Sequence, residues 1–494
     1  MLTKPRSLLI VGGGTAGWMT ANSLLQAWPE TYITLVESAD IGIIGVGEGA
    51  TPFLKQYFRE LGLPESEWMP ACDATYKVGI SFENWSGVAT APSYFHPFYS
   101  ALDTPPADLF FHNCGLRRRG FDASANPNDY FVAAHLAKNN LSPIFSGNQP
   151  IDIDYAYHFD SVKLGQFLRD KAKQKGLIHV VDNVSDVQIA NNGDIKQLIC
   201  EKHGALSADF FIDCTGFSAH LIHKALKREY LSYADTLFND AAVAIQTPYA
   251  QDLKTQVQRA NTYTRSIALS SGWMWNIPLR SRQGNGYVYS QTHISADQAE
   301  TELRQKLQLE DNADVSAKHL KMRIGRLKEH WHANCLAVGL SQGFIEPLEA
   351  TALMLTQLTV ERFVACFTSQ KNTTSTLKNK FNQQLNTTFD GIRDYVVAHY
   401  QLTQREDTAY WLDNKYNKVT PHILSVIVQA WDDGQDVEQV LHQYKQELVY
   451  LRPSWYCILA GMGRFPTDLK LTSKAADVQQ AIHYCQKIAK QHFS

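Results

Sequence analysis

Short apolar runs closed by turn residues recur along the first two thirds of the chain, with helical stretches between them. Ser7–Val11 is one such run, ending at Gly12-Gly13-Gly14, and it reads as a buried parallel strand. Thr15 to Trp28 follows with Ala16, Met19, Ala21, Leu24 and Leu25 at helical spacing, and Tyr32–Glu37 is a second strand. Strand, glycine turn, helix and strand in that order make a βαβ unit with a right-handed crossover. The same apolar-run signal returns at Ile178–Val181, Phe210–Asp213 and Cys335–Val338, so the sheet is expected to be assembled from distant parts of the chain. From about Asp390 onward helical periodicity dominates, as in Asp436–Leu448 and Ala475–Ala489. The expected organisation is α/β, with a nucleotide-binding box and its sheets over 1–390 and a mainly helical region over 391–494. No repeat or low-complexity linker interrupts it.

Composition narrows the class. A chain of 494 residues that is 44% hydrophobic and 19% charged can fill a large core, which excludes a disordered or collagen-like protein. Lys+Arg 46 against Asp+Glu 49 gives a formal charge of −3, with no electrostatic case for nucleic acid or an anionic membrane as the main partner. The eight cysteines are scattered without a CxxC pair, which argues against a zinc site or disulfide framework and for reduced, mostly buried thiols. No apolar run reaches the ~18 residues of a membrane span. Lys4, Arg6 and Leu8–Val11 only superficially imitate a signal peptide, so a soluble cytoplasmic protein is expected.

Gly12-Gly13-Gly14-Thr15-Ala16-Gly17 matches GxGxxG. The pattern alone is weak, but here it follows a strand, opens a helix, and precedes Glu37 by 20 residues counted from Gly17. Such glycines let backbone N–H groups approach a pyrophosphate at the positive end of the helix, and the acid accepts from a ribose hydroxyl. The bland alternative is a tight turn in an ordinary α/β unit. A dinucleotide cofactor is the sharper reading, with Gly12, Gly14, Thr15, Ala16, Gly17 and Glu37 as its residues. No second fingerprint exists for a separate nicotinamide domain. The chain is therefore expected to be either a dehydrogenase with one nucleotide or a flavoprotein reduced from elsewhere.

More specific strings stand further on. Trp273-Met274-Trp275-Asn276-Ile277-Pro278 has the WxWxIP pattern of the flavin-dependent tryptophan halogenase family. Ile44–Pro52 resembles that family's GVGEATxP strap, with Gly49 as an extra residue. Tyr76–Ile80 with Asn84-Trp85 resembles the segment around its active-site lysine. His96-Pro97-Phe98, Tyr157–Asp160, Ile212–Phe217, Gly343–Thr351 and Tyr456–Gly461 match further strings in the same order. On these residues the chain is identified as a member of that family.

The resemblance implies the mixed-sheet FAD-binding fold of single-component aromatic hydroxylases, with further FAD contacts from Val184, Leu340 and Leu353. It implies reduced FAD supplied by a separate NAD(P)H-dependent flavin reductase, and a halide, chloride or bromide, oxidised to hypohalous acid. That acid would cross a tunnel to a lysine and halogenate an electron-rich, indole-like aromatic. The lysine would be Lys77, which from bare sequence is one cation among 46. Its ammonium can hydrogen-bond hypohalous acid, or its amine can be halogenated, and either role needs a dry, confined site. Glu349 would stabilise the cationic intermediate and help remove its proton. Its bland reading is a carboxylate in the first turn of a helix begun by Pro347, and Glu346 receives that structural reading. The backbone of Thr351 and Ala352 would hold the halide, although Ala350 and Ala352 depart from the usual Ser-Thr-Gly or Ser-Thr-Ser. His96 and Phe98 would line the substrate pocket, and Trp273 and Trp275 would form a wall rather than react. A homodimer is an open arrangement.

The substrate end departs from relatives that take free tryptophan. Counting back from Cys457 puts Glu438 and Gln439 at a Tyr pair, Lys445 at a Glu, Val449-Tyr450 at a Phe-Trp and Ser454 at an Asn. A lysine in place of the acid that meets an ammonium is electrostatically wrong, so an aromatic lacking the free amino-acid backbone is expected. The runner-up function is an FAD-dependent aromatic hydroxylase, for which Lys77 would be dispensable. A non-catalytic flavoprotein is the third class, and the joint presence of Lys77, Glu349 and both tryptophans argues against it.

Overall fold

The computed structural model describes residues 2–40, 42, 47–89, 92–146, 153–249, 260–310, 315–368, 373–468 and 477–493. Residues 44–46 of the strap-like string lie outside these. The chain divides into two compact units, each made of three stretches: 1–74, 159–234 and 322–389, and then 75–158, 235–321 and 390–494.

In the first unit, the strand Ser7–Val11 is central to a six-stranded sheet. Tyr32–Glu37 and Phe210–Asp213 pair with it in parallel on either side. Ile178–Val181 adds in parallel beyond Tyr32–Glu37, and Cys335–Ala337 beyond Phe210–Asp213. The distant apolar runs thus form one sheet, as their pattern predicts. The helix between the first two strands covers Thr15–Ala27, with Trp28 as its C-cap. Leu9, Val11, Phe211 and Ala337 from the sheet join Leu198, Leu221, Ile222 and Leu327 in one apolar cluster.

Asp213 ends the third of these strands and is fully buried. Its carboxylate accepts from the Thr215 backbone (3.0 Å) and hydroxyl (2.6 Å), from the backbone of Leu221 (2.8 Å) and Ile222 (2.9 Å), and from the Ser341 hydroxyl (3.1 Å). One side chain thereby ties the loop after its own strand, the following helical turn and the Gly339–Ser341 turn.

The second unit is built on a seven-stranded sheet in which Gly272–Pro278 lies centrally, between Thr264–Ala268 and Arg282–Tyr289. Gly79–Glu83 pairs in parallel with Thr264–Ala268, and Ser93–Pro97 forms the edge. Side chains alternate across these strands. Met274, Ile267 and Tyr287 fall on one face, in a cluster that includes Ala299 and Leu303 of the helix Ala296–Lys306. Trp273, Trp275, Phe82, Tyr94 and His96 fall on the other face by the registers of the paired strands. The Trp275 ring lies over Gly286 of the neighbouring strand, where an added Cβ would stand 2.0 Å from it. The helices Ala409–Tyr416, His422–Asp432, Val437–Gln443, Arg452–Gly461 and Val478–His492 supply much of the remainder. All eight cysteines are free, and all but Cys366 are buried.

Replacing Asp213 by alanine removes the acceptor for five donors, three of them buried, and should lower stability by about 3–5 kcal/mol, with asparagine recovering part of the loss. Chemical-denaturation midpoints of the two variants measure it, and a loss below about 1 kcal/mol for alanine would show that water replaces the carboxylate.

Candidate functional site

The glycine turn of the first unit shows why Gly12 and Gly17 carry no side chain. Gly12 has φ +112°, and its amide donates to the Val36 carbonyl at 2.8 Å. A Cβ there would lie 2.2 Å from the Cys214 carbonyl oxygen, and one on Gly17 would lie 2.0 Å from the Gly12 carbonyl oxygen. Gly14, the N-cap of the helix, meets nothing within 4 Å, and no side chain caps that helix. Close packing behind the turn and open space in front of it form a cradle for a phosphate at a helix N-terminus. Glu37 closes one side: its Oε1 is 2.8 Å from His179 Nε2, and its other oxygen lies over Gly13. Thr15 and Ala16 occupy the first turn of the helix, and the Thr15 hydroxyl donates to the Ser161 carbonyl at 3.2 Å. Val184 packs on the apolar cluster, Leu340 lies in the Gly339–Ser341 turn, and Leu353 is buried at the start of the helix Ala352–Cys366. The bare turn, the open helix start and Glu37 fit a dinucleotide.

Glu349 does not lie in the first turn of a long helix. Pro347–Glu349 is a separate single 3₁₀ turn, Ala350 follows in the left-handed region at φ +56°, and the α-helix starts only at Ala352. The departure follows from Ala350, whose conformation ends the turn. Glu349 and Glu346 are both buried, at 6% and 1% exposure, so burial does not separate their roles. Thr351 is the N-cap of the helix Ala352–Cys366 and makes no side-chain cap, which leaves the first backbone N–H groups to other acceptors. Glu48, in the strap-like string, has its pKa raised to about 7, by burial first, with the Ser161 hydroxyl opposing and Asp160 adding to the rise.

In the second unit, Lys77 ends the short strand Thr75–Lys77, which pairs antiparallel with Ala156–Phe159. Lys77 is 1% exposed, and its Nζ stands 5.5 Å from the centre of the Phe98 ring. His96 is buried on the edge strand, with its ring 5.9 Å from that of Tyr395, and Tyr395 stacks on Tyr450 at 3.7 Å. Trp273 and Trp275 are buried with ring centres 6.2 Å apart. Sequence reading had not singled out Tyr395, and its place in a helix of apolar periodicity gave no signal. Lys445 is exposed, and Glu438 accepts from the Tyr456 hydroxyl at 2.9 Å and pairs with Arg452 at 2.6 Å. An ungapped count therefore puts an exposed lysine and a committed carboxylate where a substrate grip would stand.

His158 is a further residue of this unit that sequence reading left without a role. The Thr75 hydroxyl donates to the Pro278 carbonyl at 2.6 Å, so it accepts from His158 Nδ1 at 3.1 Å. His158 Nε2, 2.9 Å from the Thr264 hydroxyl, is then the acceptor of that bond. The neutral ring with hydrogen on Nδ1 thus joins the strand that carries Lys77 to Thr264, and the Thr75 hydroxyl joins it to the end of the Trp273–Pro278 string. Burial, and then the charge of Lys77, hold the His158 pKa well below its ordinary value.

The tryptophan halogenase family model matches residues 7–478. Tryptophan 6-halogenase SttH of Streptomyces toxytricini is 37% identical, covering 93% of this chain and 90% of its own. Tryptophan 7-halogenase RebH of Lentzea aerocolonigenes is 34% identical, covering 94% and 91%. Among solved structures, SttH superposes with a TM-score of 0.84 at 36% identity, covering 98% of this chain and 97% of the other. The flavin-dependent halogenase BrvH from Brevundimonas sp. BAL3 gives 0.84 at 30% identity, covering 99% and 98%.

A histidine held neutral when folded takes up a proton on unfolding once the pH falls below about 6.5. The unfolded state then binds more protons than the native one. His158 should therefore cost stability as pH falls through that value, by up to about 1.4 kcal/mol per pH unit, and nothing above it. Denaturation midpoints at pH 7.5 and 5.5 should separate less for His158→Gln than for the unaltered chain. An equal separation would mean that His158 is protonated in the fold.

Proposed function

The chain belongs to the tryptophan halogenase family, and on that premise we propose that it is an FAD-dependent enzyme that uses Lys77 to halogenate an electron-rich, indole-like aromatic. The observation that carries this reading is the burial of Lys77, at 1% exposure, beside the Phe98 ring. A surface cation has no reason to be there, and a lysine that engages a reactive electrophile does.

The dinucleotide's phosphates would be held by backbone N–H groups from Gly14 through Thr15 and Ala16 in the first helical turn, Gly12 and Gly17 would contribute the close packing of the turn, and Glu37 would accept from the ribose. Val184, Leu340 and Leu353 supply apolar contacts to FAD. FAD, once reduced, supplies with oxygen the oxidising power that converts halide to hypohalous acid. The backbone of Thr351 and Ala352 binds chloride or bromide, because an uncapped helix start favours an anion. Lys77 hydrogen-bonds hypohalous acid and draws electron density from it, which makes its halogen more electrophilic. Glu349 receives the proton that the ring carbon loses after halogen adds. His96 and Phe98 line the aromatic's pocket, and Trp273 and Trp275 act as wall.

With one dinucleotide fingerprint, the enzyme depends on a separate NAD(P)H-dependent flavin reductase in the cytoplasm. Among the described residues no helix is long and apolar enough to cross a membrane, and no cluster could hold a metal ion. The named relatives act on tryptophan, whereas here Lys445 is exposed and Glu438 is committed to Tyr456 and Arg452. The proposed substrate is therefore recognised by its ring and lacks the free amino-acid backbone.

Incubating an aromatic library with the enzyme, FAD, a flavin reductase, NADH and bromide should give products with bromine isotope patterns, and Lys77→Ala should abolish them while leaving flavin reoxidation intact. Hydroxylated products, or wild-type halogenation by Lys77→Ala, would overturn the reading. Glu349→Gln should retain activity with a slower chemical step.

Comparison of kcat/KM for indole and L-tryptophan tests the substrate. Indole should be favoured, and a clear preference for L-tryptophan would show that other side chains hold the amino-acid backbone. Stopped-flow absorbance with NADH or NADPH and no reductase should show no flavin reduction at catalytic rates.

A further inference from the structure

The face of the seven-stranded sheet opposite His96 and Trp275 carries a cavity of about 410 Å³ in the second unit. Alternation puts Ser81, Ser93 and Phe95 on this face, because they pair across the strands Gly79–Glu83 and Ser93–Pro97 one residue out of step with Phe82, Tyr94 and His96. Tyr263 stands beside Phe95 with ring centres 6.0 Å apart, and the two give the cavity an aromatic wall. Asn126, Asn128, Asp129, His135 and Lys138 line it as well.

Three features mark this as a site rather than a packing gap. First, His135 is 3% exposed, and its ring has the Asp129 backbone as its one weak partner, which leaves at least one ring nitrogen unpaired. Burial lowers its pKa, with the Asp129 backbone opposing and Lys138 adding to the fall. A buried imidazole left in that state costs stability unless something in the cavity pairs with it. Second, the carboxamide oxygens of Asn126 and Asn128 are committed, to the Asn128 amide at 3.1 Å and the Phe95 amide at 2.7 Å, so their NH₂ groups remain as donors. Third, a carboxylate and an ammonium, Asp129 and Lys138, line the same cavity, and each charge acts on the other.

We infer that this cavity is a second small-molecule site, separate from the halogenation chemistry, for a zwitterionic aromatic amino acid. Its ring lies against Phe95 and Tyr263. Its ammonium meets Asp129, and its carboxylate meets Lys138 and the carboxamide NH₂ groups. His135 completes the hydrogen bonding. A ligand of one charge only would set a like charge beside either Asp129 or Lys138, which the zwitterion avoids. The inference does not depend on Lys77 or on which aromatic is halogenated.

Photolabelling of the full chain with 4-azido-L-phenylalanine, followed by peptide mapping, tests it. Saturable labelling is expected in the segments 126–138 or 482–486. Two probes lacking one charge, 3-(4-azidophenyl)propionate and 4-azidophenethylamine, should label these segments about tenfold less, as should Asp129→Asn and Lys138→Met with the full probe. Ser93→Trp, which fills the cavity, should abolish labelling, and a melting temperature near wild type would show that it folds. Absent labelling in these segments overturns the inference. So does equal labelling by all three probes, which would mark an apolar slot only, or labelling unchanged in all the variants.

Discussion

A buried carboxylate that accepts five hydrogen bonds holds the first unit's loops in register. Asp213 stands at the end of a strand that runs parallel to Ser7–Val11, and its partners come from three separate stretches of chain. The Cys214 carbonyl next to it is the group that excludes a side chain from Gly12. The glycine turn, the helix it opens and the loop after the third strand are therefore fixed against one another through adjacent backbone atoms. A phosphate cradle needs that rigidity, since backbone N–H groups bind an anion well only when they are already aimed at it.

What could be read in the sequence tracks the range of the interactions involved. The strand Ser7–Val11, its glycine turn and the helix from Thr15 are set by local periodicity and by sterics within a few residues, and the structure has them at nearly those bounds. The buried runs Phe210–Asp213 and Cys335–Ala337 were legible as strands because residues covered on both faces are apolar, up to Asp213 at the end of the first. Glu349 was misplaced for an equally local reason. Pro347 signals a helix start, but the left-handed Ala350 divides the segment, and alanine gives no warning of that conformation. Asp213 and His158 lay inside strings that the family resemblance picked out, yet their bonds join residues up to 128 positions apart for Asp213 and 106 for His158, which no spacing rule anticipates.

The second unit makes a different use of its sheet. A strand has two faces, and here each is given a separate task by a shift of one residue. On the strand Gly272–Pro278, Met274 packs beneath a helix while Trp273 and Trp275 look the other way. On the edge strand, His96 and Phe95 are adjacent in sequence and belong to opposite faces. The WxWxIP pattern is thus a statement about alternation as much as about chemistry: the Trp275 ring takes the space that a side chain on the facing Gly286 would fill.

Lys77 depends on that sheet through an indirect link. The strand that ends in Lys77 is three residues long, too short to be fixed by its own ladder. Its first residue, Thr75, passes a hydrogen bond to the carbonyl of Pro278 and takes one from His158, which in turn takes one from Thr264. With the imidazole neutral and its hydrogen on Nδ1, the donors run in one direction, from Thr264 through His158 and Thr75 to Pro278. Burial first, and then the charge of Lys77, favours that neutral form. The buried ammonium and the histidine that anchors its strand therefore support each other: the lysine keeps the ring an acceptor, and the ring keeps the lysine's strand attached to the tryptophan-bearing sheet.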